Sequence, residues 1–84
     1  MKDRRSMYEI RSALEGEIAE ALDESYLSLR VEILGVNARE GIYSVKGTFK
    51  VIPLLSNIVK RKGKFEAELD EHLKIISLNI TEER

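Results

Sequence analysis

Two groups of side chains in this chain could do chemistry. His72 directly follows Asp70 and Glu71, setting an imidazole beside two carboxylates, the ingredients of a general base or a metal ligand. The second group is cationic. Lys46, Lys50, Lys60, Arg61, Lys62 and Lys64 lie between Gly41 and Phe65, a stretch that contains no Asp or Glu. Such a cluster concentrates positive potential and suits phosphate, anionic lipid or an acidic protein surface.

The first group is short of partners. The chain has one His and no Cys, which excludes a His cluster, a thiolate ligand and a cysteine nucleophile. Asp70 and Glu71 are more simply read as turn residues. No glycine-rich phosphate loop, nucleophile elbow or paired-carboxylate spacing occurs. The expectation is a protein that is not an enzyme and carries no cofactor and no metal.

The second group stands out against the rest of the chain. The net charge of −1 divides into +6 within Gly41–Phe65 and −7 elsewhere. The six cations are therefore the candidate binding residues. Two plainer readings compete: a lysine-rich outer sheet face that discourages aggregation, or contact between the acidic helix of one subunit and the basic hairpin of another. Nucleic acid is the alternative partner. Tyr43, Phe49 and Phe65 alternate toward the core and leave no stacking platform, but a basic β-arm with a Pro-Leu-Leu tip could grip a groove.

The elements that must position these cations follow from periodicity. Met7, Ile10, Leu14, Ile18, Ala21 and Leu22 draw one apolar stripe at helical spacing. Ser6-Met7-Tyr8-Glu9 reads as its capping box, so a helix is expected over 6–24, with Gly16 at a close approach to the sheet. From Tyr26 the period becomes two. Leu27, Leu29, Val31 and Ile33 form one apolar face, Tyr43, Val45, Phe49 and Val51 a second, Phe65, Ala67 and Leu69 a third, and Ile76, Leu78 and Ile80 a fourth. Asn37-Ala38-Arg39-Glu40-Gly41 and Asp70-Glu71-His72 punctuate them as turns. The fold class is α+β: an N-terminal helix packed across a four-stranded antiparallel meander.

Residues 53–62 read two ways. Pro53, the apolar Leu54, Leu55, Ile58 and Val59, then Lys60-Arg61-Lys62 and Gly63 fit an extra short helix. They also fit the far end of a long hairpin with a five-residue loop at Leu54–Ile58. In that register Phe49 falls opposite Gly63 and Phe65 opposite Gly47, so each aromatic fills the gap of a cross-strand glycine. The stretch Pro53–Val59 is too apolar for an ordinary loop; unless packed on the core it forms an exposed patch of the kind that meets a partner.

Eighty-four residues make a single domain, 1–84, with 1–5 and 81–84 expected as flexible ends. A chain this small buries only roughly 60–65% of its unfolded surface, which favours a homo-oligomer, here a homodimer. No apolar run approaches the roughly 20 residues of a transmembrane helix, and Met1-Lys2-Asp3-Arg4-Arg5 is charged, so a cytoplasmic location is expected. Charged residues at 35%, with no Gln, match the composition of proteins from hot environments. The leading helix, the meander, the Ile-Pro after the second strand and the later Gly63-Lys64-Phe65-Glu66-Ala67-Glu68-Leu69-Asp70 hairpin resemble cystatin-like modules. Within that arrangement residues 42–80 are similar to the gas-vesicle accessory family lettered O, with a longer spacing after the Pro. The resemblance rests on pattern, implies an accessory binding role and carries no site residue. The function expected is a non-enzymatic protein-interaction or assembly module docking through its basic central hairpin arm.

Overall fold

A computed structural model describes residues 4–83, with side chains described from Met7. The chain runs α1 (Arg4–Leu22), a single 3-10 turn (Tyr26–Ser28), then β1 (Leu29–Arg39), β2 (Ile42–Val51), β3 (Arg61–Leu69) and β4 (Ile75–Glu83). The strands form one antiparallel sheet in the order β1-β2-β3-β4. This is the α+β meander that the periodicity predicts. No helix among the described residues is long and apolar enough to cross a membrane.

The core lies between α1 and one sheet face. Ile10, Leu14, Ile18, Ala19 and Leu22 of the helix are buried with Leu29, Val31, Val45, Phe49, Val51, Phe65, Ala67 and Leu69 of the strands. Arg11 extends off the helix and donates to the Val31 carbonyl at 2.6 Å, giving that group of edge strand β1 a partner. Among the described residues no buried side-chain polar atom lacks a hydrogen bond.

Residues 53–62 form no helix. They belong to a hairpin whose register pairs Phe49 with Gly63 and Gly47 with Phe65. The connecting loop is longer than five residues, because the ladder closes at Val51–Arg61 and leaves residues 52–60 between the strands. Each aromatic ring lies over the opposite glycine. A Cβ on Gly63 would fall 2.8 Å from the Phe49 ring and collide with the Thr81 carbonyl. A Cβ on Gly47 would fall 2.9 Å from Phe65 and collide with the Glu32 carbonyl.

Several boundaries differ from the sequence reading. The helix begins at Arg4 rather than Ser6, and the Ser6 side chain of the expected capping box lies outside the described residues. Met7 and Ala21 are exposed although they continue the apolar stripe. Gly16 is also exposed, with no atom within 4 Å of where its Cβ would be, so it marks no approach to the sheet. Leu27 belongs to the 3-10 turn and is exposed, because Ser25 Oγ accepts from its N–H and bends the chain before β1 starts. Ile76 is exposed because the β3–β4 register shifts there, throwing one residue of β4 out of the alternation. Leu34 is the matching extra residue of β1. Asn37–Arg39 extend β1, so Glu40-Gly41 alone make the turn; both have positive φ, as a two-residue type I′ hairpin requires. At the C-terminus Thr81–Glu83 pair with Lys64–Lys62 as part of β4 instead of forming a loose tail.

Candidate functional site

The six candidate cations divide into two sets. Lys60 and Arg61 are engaged within the fold. Arg61 lies on the core-side alternation of β3 and is mostly buried, its side chain 28% exposed. Its guanidinium donates to the Leu22 carbonyl at 2.8 Å, to Glu24 at 3.1 Å, and through two nitrogens to Glu82 at 2.8 and 2.9 Å. It therefore ties the end of α1 to β3 and β4, and places a cation where the helix dipole is negative. Lys60 adds a 3.1 Å ion pair to Glu24. The hydrogen bonds from Arg61 first, then Lys60, hold the Glu24 carboxyl below its ordinary value, and those to Glu82 and Glu24 raise Arg61 further above its own.

Lys46, Lys50, Lys62 and Lys64 form the other set. All four are exposed on the outer sheet face, and none joins an ion pair among the described residues. Lys46 stands opposite Glu66 on β3, an ordinary cross-strand arrangement. Farther along, Arg30 stands opposite Lys50, and Lys50 opposite Lys62, before Glu83 ends the row on β4. Like charges directly opposite each other destabilise a sheet. Arg30 is the member that sequence reading missed, since only the strand register puts it beside Lys50. Its guanidinium folds back onto the Leu27 and Leu29 carbonyls, which keeps the charge at this end.

The same end of the molecule carries the β2–β3 loop. Leu54 and Ile58 are 62% and 74% exposed, and Leu55 is fully exposed. Leu55 also has φ +64°, a left-handed conformation that costs a non-glycine residue roughly 1–2 kcal/mol. The 3-10 turn lies beside the loop root, where Ile52 donates to the Ser28 carbonyl at 2.8 Å, and adds exposed Tyr26 and Leu27. Between loop and sheet an open groove of about 430 Å³ is lined by Lys50, Val59, Lys60, Arg61, Lys62 and Glu83.

His72 lies outside this assembly. It is exposed, and its nearest carboxylate is Glu71 at 3.8 Å. Asp70 holds the turn: its Oδ1 accepts from the N–H groups of His72 and Lys74 at 2.8 and 2.9 Å. The Lys74 N–H, then that of His72, holds the Asp70 carboxyl below its ordinary value. No group of three His, Cys, Asp or Glu suited to a metal ion occurs among the described residues. No protein-family description, curated protein or solved structure matches the chain, and the cystatin-like resemblance stands on sequence pattern alone.

Proposed function

We propose that this chain is a non-enzymatic interaction and assembly module that docks through the open end of its β2–β3 arm. The observation that carries the reading is Leu55. The left-handed backbone of Leu55 closes the Pro53–Ser56 turn, where glycine is the ordinary residue, but its fully exposed leucine side chain serves neither that turn nor the core. Local rules broken without compensation inside the fold are expected at functional surfaces. Leu54, Ile58, Tyr26 and Leu27 enlarge the patch around it. A homodimer, supported by the small size and by the charge division along the chain, belongs to the same reading, as does a cytoplasmic location.

The row Arg30–Lys50–Lys62 favours a second reading, a phosphate backbone lying along the outer face. A photo-cross-linking residue at position 55, compared with one at position 79 on the far half of the outer face, tests the reading in the native cell. Adducts at 55 and not at 79 support docking through the arm. Equal labelling, or none, counts against it.

A further inference from the structure

Resting on that reading of the arm, we infer that its partner is an anionic lipid surface: the 52–60 loop inserts shallowly between headgroups, and the cations of the outer face lie along them. Two unexplained features meet at one end of a molecule 40 Å long. Leu54, Leu55 and Ile58 are exposed on the β2–β3 loop. Beside them Arg30, Lys50 and Lys62 stand in adjacent register, at the cost of like-charge neighbours. A nucleic acid accounts for the cations, but takes an aliphatic tip only by wedging it between base steps at an unstacking cost. An apolar protein groove accounts for the tip and leaves the cationic row unexplained. An anionic bilayer accepts both.

The carboxylates at this end offset the cations only in part. Glu24 and Glu82 are bonded to Lys60 and Arg61; on the outer face Glu83 opposite Lys62 and Glu32 opposite Thr48 stand against Arg30, Lys50, Lys62 and Lys64. The exposed acids of α1, Glu9, Glu17 and Glu20, belong to the layer on the opposite side of the sheet. On the outer face Glu66 and Glu68 lie with Lys46 on the far half, so the excess of cations is confined to the loop end, and it is that end that turns toward a negative surface. The loop backbone is partly satisfied within the chain, and the N–H groups of Leu54, Leu55, Asn57 and Val59 keep insertion at headgroup depth, where water and phosphate oxygens can accept them. Pro53 has no N–H; Ser56 donates to the Pro53 carbonyl at 3.1 Å, Ile58 to Ser56 Oγ at 3.1 Å, and Lys60 to the Val51 carbonyl at 2.7 Å. Tyr26 at the margin is of a type that settles at membrane interfaces.

Vesicle flotation of the full chain decides it, with phosphatidylcholine alone or mixed with phosphatidylglycerol. The chain has no Trp, so Leu55→Trp supplies a single fluorescent probe at the tip. Binding to the mixed vesicles only, with a blue shift of that probe, is the expected result. Lys50→Ala with Lys62→Ala should weaken binding roughly 30-fold. Leu55→Asp should weaken it at least about tenfold while leaving the circular dichroism spectrum unchanged. Failure to float with anionic vesicles overturns the inference, as does binding that survives Leu55→Asp or that duplex DNA abolishes by competition. If the vesicle arm fails while position 55 still cross-links to a protein, docking through the arm stands and only the lipid partner falls. If both fail, so does the proposed function.

Discussion

Two leucines adopt the same unfavourable backbone at opposite ends of the sheet. Leu73 has φ +65° in the β3–β4 turn and Leu55 has φ +64° in the β2–β3 loop. Leu73 packs against the core, and the turn around it is closed by Asp70 N–H to the Lys74 carbonyl, Leu73 N–H to the Asp70 carbonyl, and the two bonds to Asp70 Oδ1. Its strain is offset by burial within the chain. Leu55 gains no such burial, because its side chain is fully exposed. The turn end is accounted for by the fold; the loop end has apolar surface left over that only a contact outside the chain would use. Predictions about the two ends therefore separate folding from docking.

The largest effect belongs to the frame beneath the loop. Gly63→Ala would drive a Cβ into the Thr81 carbonyl and the Phe49 ring, and overpacking of this kind costs roughly 1–3 kcal/mol or more. Gly35→Ala is the control, since its Cβ would meet only Lys46 Cγ at an ordinary 3.8 Å. Urea denaturation should rank Gly63→Ala far below Gly35→Ala. Equal midpoints would mean that the aromatic–glycine pairs do not set the register.

Arg61→Met comes next. It keeps most of the aliphatic stem but removes the donors to the Leu22 carbonyl, Glu24 and Glu82. Stability should fall by more than for Lys60→Ala, whose ammonium reaches Glu24 alone among the described residues and whose side chain is 55% exposed. Hydrogen exchange should show the last turn of α1 opening first. If Arg61→Met and Lys60→Ala behave alike, the clamp is only a surface ion pair.

Acid should distinguish the ends more gently. Glu24 at the loop end and Asp70 at the turn end both titrate below their ordinary values of 4.5 and 3.8. A depressed carboxylate binds protons more weakly folded than unfolded. Each contribution is thus complete above the ordinary value and is lost as pH falls through the folded one. Stability should decline below about pH 4.5, the Glu24 part first set by Arg61 and Lys60 and so reduced by salt. The Asp70 part comes mainly from backbone N–H groups and should persist in salt. Glu24→Gln and Asp70→Asn, each titrated at low and high salt, check this; equal salt sensitivity would refute the difference.

Much of the frame was legible in the sequence because burial on one sheet face forces a period of two. The Phe49–Gly63 and Gly47–Phe65 register was one of two readings the sequence left open, favoured by aromatics that fill the gaps of cross-strand glycines but set against a short helix over 53–62. The bulges at Leu34 and Ile76 were not legible. An extra residue leaves no composition signal, and Ile76 looked like one more member of an apolar alternation. The candidate site was half legible. Charge along the chain picked out six cations, but whether Arg61 points to solvent or to the Leu22 carbonyl depends on which face of β3 holds it. Arg30 joins the row only through pairing across β1 and β2, a relation between residues twenty apart.

The smallest predicted change tests the comparison of the two leucines most directly. At Leu55 a glycine removes no buried surface and relieves a left-handed backbone, while giving up some unfolded-state restriction. The net should be a gain of roughly 0.5–1 kcal/mol. At Leu73 the same substitution relieves the same strain but strips a side chain from the core, so the sign should reverse. Thermal or urea denaturation of Leu55→Gly and Leu73→Gly gives both signs in one experiment. A chain selected only for folding would already carry glycine at position 55, so a stabilised Leu55→Gly that no longer docks would show that the leucine is kept for contact. Were Leu55→Gly to lose stability instead, its side chain must make contacts within the chain, and the case for docking through the arm would lose its main support.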